Sequence, residues 1–302
     1  MPPPLSKPDT PQAEHKLLIG LIGAGIQHSL SPAMHEQEAR EQGLRLHYQL
    51  IDLDRSADGA AALPRLIDAA RTMGFAGLNI TYPCKQAVIT LLDGLSDEAA
   101  AMGAVNTVVF DGGRAVGHNT DGSGWAWGFR RTLPAADLSR VVLLGAGGAG
   151  SAIAHAVLRL GAQRLTLVDA DAARSVALAD ELNQRYDGAR ARGGLAADAA
   201  LADATGLIHA TPTGMAKMPG LPLPEALLRK HLWVSEIVYF PLETALLAAA
   251  RRTGCAVCDG GTMAVGQAVG AFRLFTGLEP DTERMRRHFL ELITPATATP
   301  AD

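Results

Sequence analysis

Residues 141–150 read Val-Val-Leu-Leu-Gly-Ala-Gly-Gly-Ala-Gly, an apolar run that leads into Gly145, Gly147 and Gly150. Glycines at G-x-G-x-x-G spacing, after an apolar strand and before a helix-period segment, are typical of the turn that binds a dinucleotide pyrophosphate. A second apolar run follows and ends in Asp169, where a carboxylate can accept hydrogen bonds from the adenosine ribose. The stretch therefore predicts a Rossmann-type, doubly wound parallel sheet that binds NAD.

The residues around Asp169 also bear on the choice between NAD and NADP. A carboxylate at the ribose would repel a 2′-phosphate, and the next four residues, 170–173, include no cation. Arg174 is the first positive charge after them. The sequence therefore predicts that NAD is preferred over NADP.

The earlier stretch 23–28, Gly-Ala-Gly-Ile-Gln-His, also follows an apolar run. It has histidine at the third glycine position and is not expected to bind the cofactor.

The position of this glycine-rich stretch predicts two domains. It begins near the middle of a 302-residue chain, so a whole domain precedes it. Apolar runs bounded by turns alternate with helix-period segments throughout, as in α/β layers around a largely parallel sheet. Two helical segments close the chain with no strand after them, and we expect them to return to the first domain. The expected divisions are a loose extension at 1–16, a discontinuous substrate-binding and catalytic domain at 17–120 and 260–293, an NAD-binding domain at 121–259 and a frayed tail at 294–302.

Individual elements follow from the same patterns. Asp111-Gly112-Gly113 is expected to form a hairpin turn, and Pro32 suits the first turn of a helix. The predicted strands are 16–22, 46–53, 75–80, 104–110, 115–118, 141–145, 165–169, 206–210, 233–238 and 255–259. The predicted helices include 32–42, 60–73, 84–92, 242–252 and 263–275.

Composition excludes several classes of protein. The chain has 27 Lys and Arg against 31 Asp and Glu, a net charge of −4, without a long basic block, so a nucleic-acid surface is not expected. The apolar stretch around 17–26 is broken by glycine and too short to cross a bilayer, and residues 1–16 lack the apolar core of a signal peptide. We therefore expect a cytoplasmic monomer or homodimer that does not bind membranes.

Three cysteines argue against a disulfide framework. Cys255 and Cys258 form a C-x-x-C pair, but they lie in a short apolar run. A strand would point residues three apart to opposite faces, and no second pair or histidine cluster completes a metal site. No metal is therefore expected.

Four polar clusters follow predicted strands of the first half, where open α/β sheets bind ligands. They contain small hydroxyls, amides, the cation Lys85 and the carboxylate Asp121, which suit a polyhydroxylated, anionic small molecule. An ammonium group can donate a proton and, once deprotonated, accept one. The clusters are residues 28–32, 79–85, 106–107 and 118–122.

Each of these groups also has a purely structural interpretation. A lysine early in a helix is usually a solvated surface residue, and Asn119-Thr120-Asp121 can simply cap a helix. Ser29 and Ser31 could likewise cap the helix that contains Pro32. His28 and His118 flank the clusters, and a structural role for them is favoured over a catalytic one.

These segments, with the glycine-rich turn and Gly266-Gln267-Ala268, resemble the shikimate dehydrogenase family over nearly all of residues 17–290. The chain is most similar to the NAD-preferring quinate/shikimate dehydrogenase branch. The resemblance implies an N-terminal α/β substrate domain, a Rossmann-type domain and an active site in the cleft between them. It implies that Ser29 and Ser31 hold the substrate carboxylate, that Asn79, Thr81, Asn106, Tyr239 and Gln267 contact the substrate, and that Lys85 and Asp121 are the catalytic pair. The cofactor contacts that it implies are Gly145, Ala146, Gly147, Gly148, Ala149, Gly150, Asp169, Thr211, Gly260 and Met263.

The resemblance implies an NAD-dependent oxidoreductase of the class acting on CH–OH donors. It would interconvert shikimate and 3-dehydroshikimate, quinate and 3-dehydroquinate, or both, in aromatic amino acid biosynthesis or quinate catabolism. A dehydrogenase of an analogue such as aminoshikimate is the alternative among enzymes. A non-catalytic NAD-binding regulatory protein is the alternative outside them, and it should lack the proton-transfer pair, whereas Lys85 and Asp121 are both present. The chain departs from the usual family pattern at 25–27, at Cys84 and at His209, which stands where asparagine is usual.

Overall fold

The computed structural model describes residues 16–294. A first sheet is built from residues 16–118, and a second from residues 140–258. Helices cover both sheets, so the α/β class with two domains is confirmed. No helix within residues 16–294 is both long enough and apolar enough to cross a membrane.

The first sheet is mixed rather than parallel. Its strands are β1 (Lys16–Gly23), β2 (Arg45–Asp52), β3 (Gly77–Ile80), β4 (Gly94–Leu95), β5 (Thr107–Asp111) and β6 (Arg114–His118), in the order β2-β1-β3-β5-β6-β4. β1 runs parallel to β2 and β3, whereas β5 is antiparallel to β3 and β6. The hairpin between β5 and β6 forms at the predicted turn, where Gly112 and Gly113 have positive φ angles of 55° and 80°. Glycine tolerates that conformation at little steric cost.

The second sheet is parallel throughout. Its strands are β7 (Arg140–Leu144), β8 (Arg164–Val168), β9 (Ala191–Arg192), β10 (Gly206–His209), β11 (Trp233–Glu236) and β12 (Ala256–Cys258), in the order β12-β11-β10-β7-β8-β9. The chain winds outward from β7 in both directions, so the strand order reverses there. Ligands of doubly wound sheets bind in the crevice at such a reversal, and the glycine-rich turn follows β7 directly.

Ten α-helices lie in the described part of the chain. They are α1 (Ser31–Glu41), α2 (Leu63–Thr72), α3 (Asp97–Met102), α4 (Asp121–Thr132), α5 (Gly148–Arg159), α6 (Ala172–Arg185), α7 (Ala197–Leu201), α8 (Ala245–Thr253), α9 (Gly260–Thr276) and α10 (Thr282–Ile293). Pro32 stands in the first turn of α1, as predicted. Short 3₁₀ helices occur at Leu53–Arg55, Gly59–Ala62, Ala87–Leu91 and Glu225–Leu227.

The closing helix α9 packs against the first sheet, and α10 packs against α9 and α1. Ala271 and Phe275 of α9 share a buried cluster with Ile19 of β1 and Tyr48 of β2. A second cluster joins Met34 of α1 to both closing helices. The end of the described chain therefore lies on the domain that contains its beginning.

Two helix predictions differ from the structure, and helix α4 is an addition to them. The predicted helix 84–92 is wrong, because Lys85 lies in a turn and only Ala87–Leu91 forms a 3₁₀ helix. The backbone carbonyl of Lys85 instead accepts the N–H of Val105 at 2.8 Å, which ties the turn to the first sheet. The predicted helix 60–73 is divided into a 3₁₀ segment and α2, with Pro64 in the first turn of α2. Helix α4 was not predicted, since three of its twelve residues are glycine.

Candidate active site

The centre of the site is an ion pair between Lys85 and Asp121. The Nζ atom of Lys85 lies 2.6 Å from Oδ2 of Asp121, and the side chains are 23% and 1% exposed. Lys85 lies in the turn after β3, and Asp121 is the first residue of α4. The second carboxylate oxygen of Asp121 accepts amide N–H groups from Asn106 at 2.8 Å and Gln267 at 2.7 Å. Both oxygens of the buried carboxylate are thus hydrogen-bonded, and the amine is the exposed member of the pair.

Local hydrogen bonds fix Asp121 at the start of α4. The side chain of Asn119 accepts the backbone N–H of Asp121 at 2.9 Å, and its amide donates to the Ala104 carbonyl. The side chain of Asn106 accepts the backbone N–H of Thr120 at 2.8 Å and donates to its hydroxyl at 2.9 Å. The predicted residues Asn106 and Asp121 are therefore held together by the short segment that joins β6 to α4.

Gln267 reaches Asp121 because helices α4 and α9 approach closely. A Cβ on Gly266 would lie 2.5 Å from the carbonyl oxygen of Gly124, and a Cβ on Gly124 would lie 2.6 Å from the backbone nitrogen of Gln267. Real Cβ atoms do not tolerate such distances, so both positions need glycine. The crossing brings a residue near the end of the chain within hydrogen-bonding distance of the pair.

A group of hydroxyl and amide side chains lies at the carboxyl ends of β1 and β3. Ser29 accepts the backbone N–H of Ser31 at 3.3 Å, and the Tyr48 hydroxyl donates to Asn79 at 2.8 Å. The amide of Asn79 donates to Thr107 at 3.1 Å. Burial raises the pKa of Tyr48, a hydrogen bond with Ser31 opposes that shift, and nearby Tyr239 adds to it. Tyr48 therefore remains a neutral hydrogen-bonding group between predicted site residues.

Two further predicted site residues, Thr81 and Tyr239, come from different domains. Thr81 follows β3 directly, and its N–H donates to the Ile22 carbonyl at 2.9 Å. Its methyl group fills the space beside Gly23, where a Cβ would lie 2.2 Å from it. Tyr239 lies between β11 and α8 and is 39% exposed, so its ring is available to a ligand.

The glycine-rich turn is tightly packed at Gly150 and open at Gly147 and Gly148. A Cβ on Gly150 would lie 1.9 Å from the carbonyl oxygen of Gly145, so packing of α5 on β7 requires glycine there. At Gly147 and Gly148 a Cβ would meet no described atom within 4 Å, which leaves open space above the first turn of α5. A helix N-terminus presents unpaired N–H groups into that space, where an anion binds favourably.

Asp169 is fixed beside this turn. One carboxylate oxygen accepts the backbone N–H of Ala146 at 2.7 Å, and the other accepts that of Asp171 at 2.9 Å. A guanidinium nitrogen of Arg174 lies 3.7 Å from Asp169. The first cation after the strand is therefore folded back toward the carboxylate, which the sequence does not indicate.

The other predicted cofactor residues occupy different environments. Thr211 is half-buried after β10, and Ala149 is half-buried in α5. A Cβ on Gly260 would lie 2.4 Å from the Val238 carbonyl oxygen, so this glycine allows α9 to begin against the segment after β11. Met263 is buried in the same apolar cluster as Ala146 of the turn. Its side chain is thus part of the apolar core of the second domain.

Tyr48 is the site residue that the sequence prediction missed. It stands in β2 among alternating apolar residues, where an aromatic residue is typical of a strand core. Only the pairing of β2 beside β1 brings its hydroxyl to Asn79. Neither cysteine of the C-x-x-C pair belongs to this group of polar side chains. Cys255 packs in an apolar cluster of the second domain, and Cys258 lies 3.3 Å from the hydroxyl of Thr262.

Two family models and several named relatives are similar to this chain. A model of the shikimate dehydrogenase substrate-binding domain matches residues 21–108, and one of the shikimate 5′-dehydrogenase C-terminal domain matches residues 260–288. A shikimate dehydrogenase (NADP(+)) of Streptomyces avermitilis is 60% identical over 91% of this chain and 95% of its own. A quinate/shikimate dehydrogenase (NAD(+)) of Corynebacterium glutamicum is 49% identical over 91% of this chain and 99% of its own.

A solved structure extends the similarity to three dimensions. Quinate dehydrogenase from Corynebacterium glutamicum in complex with NAD is 48% identical and superposes with a TM-score of 0.86. The alignment covers 91% of this chain and 99% of that one. The chain belongs to the shikimate dehydrogenase family.

Proposed function

We propose that this chain is a nicotinamide-dependent dehydrogenase that interconverts shikimate and 3-dehydroshikimate, quinate and 3-dehydroquinate, or both. The observation that carries the proposal is the ion pair of Lys85 with the buried carboxylate of Asp121, at 2.6 Å. The pair lies beside hydroxyl and amide side chains of the first domain, and Asp121 begins α4, a helix that packs on α5, the helix after the glycine-rich turn. The proposed division is a substrate-binding domain of 17–120 with 260–293 and a cofactor domain of 121–259.

Lys85 is the residue proposed to move the proton. During oxidation its neutral amine accepts the proton of the ring hydroxyl at Nζ, and during reduction the ammonium returns a proton to the ketone oxygen. Asp121 is less suited to take that proton, because its carboxylate already accepts from Lys85, Asn106 and Gln267. Its role is to hold Nζ in place. A nicotinamide bound in the cleft supplies the acceptor or donor of the hydride.

The remaining polar side chains are proposed to bind the cyclic hydroxy acid. Ser29 and Ser31 offer hydroxyls to its carboxylate, near the N-terminus of α1. The ring hydroxyls are expected to meet the amides and hydroxyls of the other polar side chains, all of which belong to the first domain except Tyr239 of the second. These side chains are Tyr48, Asn79, Thr81, Asn106, Tyr239 and Gln267.

The cofactor is proposed to bind at the turn that joins β7 to α5, with a preference for NAD. Gly147 and Gly148 leave space for the pyrophosphate, and Asp169 lies where it can accept hydrogen bonds from the ribose. A carboxylate held there disfavours a 2′-phosphate by charge repulsion. The residues proposed to hold the dinucleotide are Gly145–Gly150, Asp169, Thr211, Gly260 and Met263.

Use of NADP is the second candidate, and two observations favour it. The 60% identical relative is named for NADP(+). The guanidinium of Arg174 lies 3.7 Å from Asp169 and is 56% exposed, so it could turn toward a 2′-phosphate. Asp169 and Arg174 therefore act in opposite directions on this choice.

Initial rates of reduced-nicotinamide formation test the proposal. The purified chain is offered shikimate and quinate, each with NAD and with NADP, and calorimetry measures dinucleotide binding in parallel. We expect turnover with at least one acid and a higher kcat/KM with NAD. A higher kcat/KM with NADP would overturn the cofactor preference alone. Binding of NAD without turnover in any of the four pairs would overturn the substrate assignment and favour an analogue or a regulatory role.

A further inference from the structure

A buried histidine–glutamate pair lies in the second domain, outside the predicted site. His209 and Glu236 are the last residues of β10 and β11 and are directly paired across the two parallel strands. Both side chains are fully buried, and Nδ1 of His209 lies 2.9 and 3.0 Å from the two carboxylate oxygens of Glu236. Because a carboxylate only accepts hydrogen bonds, Nδ1 carries a proton and donates it to Glu236.

Glu236 is anchored in the segment that follows it. One carboxylate oxygen accepts the backbone N–H groups of Ile237 at 2.8 Å and Val238 at 3.0 Å, and the other accepts the hydroxyl of Thr244 at 3.1 Å. A buried carboxylate is costly unless it is fully hydrogen-bonded, and this one is. The acceptor of the histidine proton is therefore fixed in position.

The other ring nitrogen of His209 meets Thr211. Nε2 lies 2.5 Å from the Thr211 hydroxyl oxygen, which also accepts the backbone N–H of Thr213 at 3.3 Å. The Thr211 methyl lies beside the glycine-rich turn, 3.1 Å from where a Cβ on Gly145 would stand. Thr211 is half-buried, so part of the residue remains accessible to solvent. A chain of hydrogen bonds thus runs from the second sheet to the edge of the cofactor turn.

We propose that His209 is a positioning residue for the nicotinamide dinucleotide, with Glu236 as its anchor and the Thr211 hydroxyl as the group that it orients. The inference rests on the proposed function and deepens it. A threonine hydroxyl that is free to rotate loses conformational freedom when a ligand binds, whereas one held by His209 has already lost it. His209 therefore favours dinucleotide binding without touching the dinucleotide.

The test compares His209→Gln, Thr211→Val and the double variant. Dissociation constants for NAD are measured by calorimetry, and KM values are measured for NAD and for the cyclic acid. We expect each single variant to weaken NAD binding roughly three- to tenfold, which corresponds to one lost hydrogen bond. KM for the acid should change less than twofold. Because His209 acts through Thr211, the double variant should bind NAD no more than twofold more weakly than Thr211→Val.

Ser235→Ala is the matched control for a purely structural effect. Ser235 is the neighbour of Glu236 in β11 and accepts a buried hydrogen bond from the Trp125 indole at 3.0 Å. Its loss should lower thermal stability and leave the NAD dissociation constant unchanged. If His209→Gln behaves like Ser235→Ala, or if its effect multiplies with that of Thr211→Val, the proposal is overturned.

The unaltered chain gives a measurement that does not depend on the folding of a variant. In a sample with ¹⁵N-labelled histidine, addition of NAD should shift the Nε2 resonance of His209 and leave that of a distant histidine, His47, in place. An unchanged His209 resonance at saturating NAD would overturn its positioning role. A chain that fails to bind NAD or NADP at all would instead overturn the proposed function.

Discussion

The carboxylate of Asp169 supports the glycine-rich turn, and we propose that it also favours NAD over NADP there. It accepts the backbone N–H groups of Ala146 and Asp171, which leaves lone pairs for a ribose. In Asp169→Ala we expect the ratio of kcat/KM for NAD to that for NADP to fall about tenfold, because the repulsion of a 2′-phosphate is lost. Asp198→Ala removes an exposed carboxylate from the same domain and should leave the ratio unchanged. An unchanged ratio in Asp169→Ala would contradict the account of cofactor choice.

Single residues also show how much of the candidate site could be predicted from the sequence. Lys85 and Asp121 were predicted as a pair from their chemistry and from family resemblance, and the structure brings them together. Whether they act as a pair stays a prediction. Tyr48 and the orientation of Arg174 were not predictable, since both depend on which elements lie side by side. The type of a residue indicates which chemical reactions its side chain can take part in. Which other residues the side chain contacts depends on the packing of the chain.

At the scale of elements, strands with continuous apolar runs could be predicted from the sequence, whereas the glycine-containing helix α4 could not. The predicted strands 16–22 and 206–210 agree with β1 and β10 to within one residue at each end, because continuous apolar runs between turns mark buried strands. Helix α4 was missed because its glycines disfavour a helix in isolation. Gly124 is required there for the close crossing with α9. Tertiary packing stabilises α4 despite its sequence.

The packing of α1 on α9 predicts a pH dependence of stability. His35 of α1 lies against the rings of Tyr48, Phe272 and Phe275, at centroid distances of 5.2, 6.0 and 6.0 Å. Burial lowers the pKa of His35 from 6.5 to about 3. The unfolded chain therefore binds a proton between these pH values that the folded chain does not. Unfolding free energy should fall on acidification below pH 6.5, by up to about 1.4 kcal/mol per pH unit from this histidine.

Urea unfolding of His35→Phe at several pH values checks this expectation. The variant keeps an aromatic ring among its neighbours and cannot bind the proton, so its stability should depend less on pH between 6.5 and 4. Part of the slope should remain, because burial and the cations Arg185 and Arg159 lower the pKa of His155 to about 4. Equal slopes in His35→Phe and the unaltered chain would show that His35 is not the source.

At the scale of the whole molecule, an ion pair connects the end of the chain to its beginning. Glu38 of α1 is 1% exposed and accepts two hydrogen bonds from the guanidinium of Arg284 in α10, at 2.7 and 2.8 Å. Arg284→Ala would leave a buried carboxylate without its cation, and we expect it to cost roughly 3–5 kcal/mol of unfolding free energy. Arg273→Ala breaks the exposed pair with Glu279 and should cost about 1 kcal/mol or less.

Denaturant unfolding of the two arginine variants compares the buried pair with the exposed one. Equal losses would mean that Arg284 contributes no more than a surface charge.

Alternation of strands and helices predicted two α/β layers, but the mixed order of the first sheet was not predictable. Its antiparallel strand β5 depends on the hairpin with β6 and on pairing with β3, a contact distant in sequence.

The most direct test of the central claim is the turnover of Lys85→Ala with quinate or shikimate, measured beside its affinity for NAD. Proton transfer by a positioned side chain contributes about 10²–10⁴-fold to rate, so kcat should fall by that factor. NAD binding by calorimetry should stay within about twofold, since Lys85 belongs to the other domain. Lys230→Ala, a change at an exposed lysine, is the control. Turnover within a few-fold of the unaltered chain, in a folded Lys85→Ala variant that binds NAD, would contradict the assignment of proton transfer to Lys85.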